Sequence, residues 1–156
     1  MFVGKLGTFV ALGVRGSGMI ENCSFNLGEF YVKMGKTNRE LWRYAMTHEM
    51  DIWHDSFVKI KEQTKTIEMR LFDEKRSLIS TGDTIIFTDT SNKEKIDCMV
   101  INMYRYLSFE ELYQHHSKVS IGYNKDEIAN PKEMLMYYSK EMIEKYGVVA
   151  IEIKVL

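Results

Sequence analysis

The chain carries one proline, Pro131, and two cysteines, Cys23 and Cys98, in 156 residues. Two thiols exclude a disulfide framework, and no C-x-x-C pair is present to hold a metal, so a reducing compartment is expected. No apolar stretch approaches the roughly 20 residues of a membrane span. The run Phe9-Val10-Ala11-Leu12 is bounded by glycines and provides no signal-peptide core. These absences together point to a cytoplasmic protein without membrane contact. The formal net charge of -1 leaves no global field to draw the chain onto a polyanion, so any such contact needs a local basic patch. Phosphate-binding glycine signatures are also missing. Gly13-Val14-Arg15-Gly16-Ser17-Gly18 lacks the Walker lysine and a strand–helix setting. The four histidines do not make a metal site. His115 and His116 are adjacent, so on a helix they point about 100° apart and chelate one ion poorly. His48-Glu49 is followed by no second histidine at zinc-motif spacing. No metal and no cofactor is expected.

What is present divides the chain near residue 45. Seven of the ten glycines lie in residues 1–45, with six Lys/Arg against three Asp/Glu. Residues 46–156 carry fifteen Lys/Arg against nineteen Asp/Glu. The glycine-rich part has weak periodicity, which suggests an N-terminal extension of loose or irregular structure. The change also marks Met46 as a candidate natural start, testable by mass spectrometry of the native protein.

From Met46 onward the pattern is regular enough to assign elements. Asp55 or Ser56 can cap a short helix with Trp53, Phe57 and Ile60 on one face. Residues 66–71 alternate polar and apolar as a strand does. Thr81-Gly82-Asp83 is a turn, and residues 84–88 are rich in β-formers. A polar turn then leads to a long strand over residues 95–106. Ser108 and Glu111 form a capping box at the start of a helix. Pro131 suits the first turn of another, in which Met134, Tyr138, Met142 and Tyr146 recur every four residues as a buried stripe. Gly147 ends that helix, and residues 148–155 close the chain as a strand with Val149, Ile151, Ile153 and Val155 on one face. Helices interrupt the strands without alternating strictly with them. An α/β fold of the α+β type follows, a small mixed barrel-like sheet with flanking helices.

The densest charge lies in residues 59–76. On a strand, Glu68 and Arg70 share one face with Thr66, while Ile67, Met69 and Leu71 share the other, which must be core. A neighbouring carboxylate and guanidinium can recognise a base edge, a phosphate or an amide. The same pair can equally be a solvated ion pair of little energetic weight. Lys65 joins the pair only if a turn or bulge displaces it from strict alternation. Farther along, Tyr104, Arg105 and Tyr106 can stack an unpaired base, or the tyrosines can pack into the core.

Lys65-Thr66-Ile67-Glu68-Met69-Arg70 resembles the GxKxxExR signature of ASCH domains, a branch of the PUA-like superfamily. The likeness continues in His48-Glu49-Met50, in Phe57 with Ile60, in Asp73-Glu74-Lys75-Arg76 and in Gly82-Asp83-Thr84-Ile85-Ile86-Phe87. It extends through Ser108-Phe109-Glu110-Glu111-Leu112-Tyr113, Tyr137-Tyr138-Ser139 and the last strand, so it spans nearly all of residues 46–156 and none of 1–45. It implies a small β-barrel with a cleft lined by Lys65, Glu68 and Arg70, a role in binding RNA or nucleotides, and a place for His48 on the first strand, as a cleft residue or a hydrogen-bonded strand histidine. One departure lies inside the motif. The family glycine two residues before the lysine is Gln63 here, and a turn of positive φ tolerates Gln poorly, so an altered loop is expected.

The leading functional expectation is an RNA- or nucleotide-binding domain. Lys65, Arg70, Lys75 and Arg76 would contact phosphates, and Glu68 would accept from a base amino group. Tyr104 and Arg105 would add stacking, with His48 in the cleft. The alternative is a small hydrolase acting on a modified nucleoside, with Lys65 and Glu68 as acid and base. Some ASCH-like amidohydrolases use a threonine three residues after the signature lysine. That position is Glu68 in this chain, and Thr66 is out of register.

Overall fold

The computed structural model describes residues 45–156 in full and, before them, the backbone of four strands. The chain divides into two compact units, residues 1–46 and 47–156. In the first, β1 (Thr8–Val14) pairs antiparallel with β2 (Ile20–Asn26), and β3 (Tyr31–Met34) with β4 (Leu41–Tyr44). Regular ladders thus occupy part of the stretch whose glycine content suggested irregular backbone. Residues 15–18 of the glycine run lie outside the described residues.

The second unit is a five-stranded mixed sheet of order β5-β7-β8-β9-β6. β5 (Thr47–Ile52) runs parallel to β7 (Thr84–Asp89). β8 (Lys95–Tyr106), β9 (Val148–Val155) and β6 (Ile67–Leu71) continue the sheet antiparallel. β8 is long because it spans two neighbours. A bulge between Val100 and Asn102 bends it, as one extra residue in a ladder does, and curls the sheet toward a barrel.

Both faces of the sheet are covered. Val149, Ile151 and Ile153 of β9 face one core with Met50, Ile52, Phe87 and Val100, into which α1 (His54–Lys61) inserts Phe57 and Ile60. Val148 and Ala150 face a second core with Ile67, Met69 and Leu71, closed by Phe109 and Leu112 of α2 (Phe109–His115). This double burial explains the uninterrupted apolar run Val148-Val149-Ala150-Ile151. Ser108 caps α2 by accepting from the Glu111 backbone N–H, while the Glu111 carboxylate reaches back to the Leu107 N–H at 2.9 Å. The expected box therefore closes one residue earlier than its usual partner.

Three local expectations are corrected. α1 begins at His54, with Trp53 at its N-cap and no side-chain cap. Asp55 therefore falls in the first turn, where its charge suits the helix dipole. The single helix expected after Pro131 is two pieces. A 3-10 helix covers Pro131–Met136, and α3 (Lys140–Tyr146) starts afresh where the Ser139 side chain accepts from the Met142 N–H. Met134, Tyr138 and Tyr146 pack on the second core, but Met142 is 44% exposed. Gln63, finally, adopts the left-handed conformation with φ 59. It follows the α1 C-cap in a Schellman turn, with Gln63 N–H bonded to Ile60 O and Thr64 N–H to Lys59 O. The loop keeps the geometry expected of the glycine it lacks. Gly147, at φ 67, ends α3 where a Cβ would lie 2.9 Å from the Tyr106 carbonyl oxygen. Among the described residues, no helix is long and apolar enough to cross a membrane.

Candidate functional site

β6 is an edge of the sheet and β5 is the other edge. A cleft of about 650 Å³ opens beside them, with α1, the loop around Gly122 and the segment after Pro131 as its remaining walls. Alternation along β6 turns Glu68 and Arg70 toward this cleft, while Ile67, Met69 and Leu71 pack in the second core, Met69 bordering the cleft as well. Lys65 precedes the strand in the turn after α1, its N–H bonded to Lys59 O. The turn frees Lys65 from the strand register and folds it back over Glu68.

The three signature residues converge. Lys65 Nζ lies 2.9 Å from Glu68 Oε2, and Arg70 Nε donates to Glu68 Oε1 at 2.8 Å. Lys65 and Glu68 are 7% and 4% exposed, which rules out the solvated ion pair. Arg70 also donates from a terminal nitrogen to the Asp51 carbonyl at 3.0 Å, joining β6 to β5 across the gap that no ladder closes. Tyr138 lines the same cleft. Burial would push the Glu68 carboxyl up, but Lys65 and Arg70 outweigh burial and hold it below the usual carboxylate range. Arg70 is raised for the reciprocal reason, the Glu68 charge overcoming its own desolvation. Oε2 is fully enclosed, with the Lys65 ammonium as its ion-pair partner.

Several wall residues escaped the sequence reading. Ser56 Oγ accepts from Lys65 Nζ at 3.4 Å, and Lys59 Nζ donates to the Gly122 carbonyl at 2.6 Å. Gly122 has φ 112, and a Cβ there would meet Lys65 Cδ at 3.1 Å, so the glycine leaves room for the lysine. An isolated glycine in an otherwise glycine-poor half was the available signal. Tyr113 and Tyr123 share a hydrogen bond of 3.1 Å, and Tyr123 donates to Glu133 at 2.8 Å. Burial, followed by the Tyr123 bond, pushes the Tyr113 phenol well up, so this wall stays protonated. Trp53 and Tyr137 stand at the rim, 66% and 56% exposed. No periodic pattern distinguishes such rim aromatics from ordinary surface residues.

The other sequence candidates are not among the cleft-lining residues. His48 Nε2 lies 3.0 Å from Asp83 Oδ2, and Asp83 also accepts from the Ser80 N–H, which makes His48 a hydrogen-bonded strand histidine. Lys75 is exposed, and Arg76 pairs with Asp73 at 3.0 Å. Tyr104 donates to Glu152 at 2.9 Å and borders the second core. Arg105 lies 3.9 Å over the Phe72 ring. His116 meets the Tyr106 hydroxyl at 2.9 Å. No group of described residues is placed to hold a metal ion.

Comparison with known proteins adds a family and two folds. The ASCH domain model matches residues 50–156. The hypothetical protein PH0355, known from a crystal structure, is 32% identical with a TM-score of 0.61, covering 71% of this chain and 100% of its own. The protein PF0455 from Pyrococcus furiosus, solved by NMR in solution, is 34% identical with a TM-score of 0.54, covering 71% of this chain and 98% of its own. No curated protein matches significantly.

Proposed function

Because the chain belongs to the ASCH domain family, we propose that its cleft receives a nucleobase, carried by RNA or by a free nucleoside or nucleotide. The general association of ASCH domains with RNA agrees with this reading. The observation that carries it is Glu68, an ionised carboxylate in the wall of a cleft of ligand size bordered by exposed aromatic rings. A base amino group such as cytosine N4 suits a carboxylate in such a wall, since carboxylates accept from it. Trp53 and Tyr137 offer exposed rings for stacking, an interaction worth about 1–3 kcal/mol per base. Lys65 and Arg70 act here through Glu68, holding it charged and in place. That differs from the direct phosphate contact anticipated for them.

The hydrolase alternative has less behind it. Glu68 stands where a threonine nucleophile would, and a carboxyl held below its usual range is a weak general base near neutral pH. The test is calorimetric titration of the full chain with cytidine and adenosine, native and Glu68→Gln. Native binding, weakened at least about tenfold by loss of this charge-assisted acceptor, is expected. Trp53→Ala, at an exposed rim position outside the core, gives a second readout that folding does not confound. Native protein that binds neither nucleoside, or equal binding by both variants, rejects the assignment.

A further inference from the structure

The cations of the cleft are all engaged. Lys65 is paired with Glu68 and touches Ser56, Arg70 is held by Glu68 and the Asp51 carbonyl, and Lys59 donates to the Gly122 carbonyl. These are the three basic residues among the described lining. Against them stand Glu68 and four more acids, Asp51, Asp55, Glu127 and Glu133, all four exposed. Taken together, the lining carries a formal charge of two negatives. The start of α1 also lines the cleft, and Asp55 in its first turn already answers that dipole.

Glu127 and Glu133 are fixed in place. Glu127 accepts from the Asn124 N–H at 2.5 Å, and Glu133 from the Tyr123 hydroxyl at 2.8 Å. A phosphate entering beside them would meet like charge in a concave wall, where fields are focused, while the cations that line the cleft are already engaged. A neutral amino-bearing base has the opposite fit: its N–H groups suit the acidic lining, and no like charge at the rim repels it.

We propose that the cleft selects an unphosphorylated ligand, a nucleoside or nucleobase bearing an amino group, and that Glu127 and Glu133 set this choice by repelling phosphate at the rim. The proposal rests on the nucleobase reading above and narrows it. RNA chains and nucleotides are then poor ligands, and the product of a dephosphorylating or base-releasing reaction is a good one.

The experiment compares cytidine with cytidine 5′-monophosphate by calorimetry, at low and high salt, for the full native chain, Glu127→Gln and the Glu127→Gln/Glu133→Gln double variant. Gln retains a carbonyl acceptor for the Asn124 and Tyr123 donors, so the quantity read is the ratio between the two ligands. In the native chain cytidine is expected to bind about tenfold tighter or more at low salt, with the ratio shrinking as salt screens the rim. The ratio is expected to fall stepwise in the single and double variants. A monophosphate that binds the native chain as tightly as cytidine overturns the charge selection alone, as does a ratio that neither substitution moves. A folded native chain that takes up neither ligand removes the nucleobase reading together with this proposal.

Discussion

Gln63 occupies a position whose backbone, at φ 59, strongly favours glycine. The Schellman bonds around it hold α1 at the angle that delivers Lys65 to Glu68, so the conformation persists despite a side chain that opposes it. The left-handed region costs a non-glycine residue about 1–2 kcal/mol, partly offset by the greater unfolded freedom of glycine. Gln63→Gly is therefore expected to stabilise the fold by about 0.5–1 kcal/mol, seen as a higher urea midpoint with unchanged slope. Destabilisation would show that the exposed Gln63 side chain makes a contact that outweighs its backbone strain.

Among the elements, the segment from Pro131 to Tyr146 shows how a four-residue stripe can mislead. Its spacing is compatible with one helix, but Ser139 offers its hydroxyl to the Met142 N–H, and this local bond restarts the helix. The break turns Tyr137 to the cleft rim and lets Tyr138 line the cleft and stack on the Phe109 ring, 5.7 Å away. Ser139→Ala is expected to cost about 1 kcal/mol, as loss of an N-cap does. Hydrogen exchange should quicken in α3 and leave the 3-10 helix before it unchanged. Equal loosening of both would mean that they form one cooperative element.

For the molecule as a whole, the Glu68 cluster joins strand, helix and opposite sheet edge, so its protonation bears on global stability. Its carboxyl is held below its unfolded value of about 4.3. The stability it contributes is complete above that value and is lost as the pH falls through the lower folded value. Stability is thus expected to drop in acid below about pH 4, with a shallower drop for Glu68→Gln. At neutral pH the same variant is expected to be about 3–5 kcal/mol less stable, because Lys65 and Arg70 remain buried without their counter-charge. Urea unfolding across pH measures both. Parallel acid limbs for the two proteins would remove Glu68 from the linkage.

Local chemistry in the sequence determined much of the second unit. Alternation marked β6 with its apolar face, β-formers marked β7 and β8, and Ser108 and Gly147 marked element ends, because each acts on its own backbone within a few residues. The signature also brought Lys65, Glu68 and Arg70 forward as one group. Tertiary structure decided the rest. Burial turned Glu68 from a plausible surface charge into an enclosed acceptor, and the meeting of two sheet edges gave Arg70 the Asp51 carbonyl. It also committed the cleft cations to internal partners and brought Glu127 and Glu133 into the same lining. Which charges remain available to a ligand depends on contacts between residues far apart in sequence, and a one-dimensional pattern of residue types does not contain those distances.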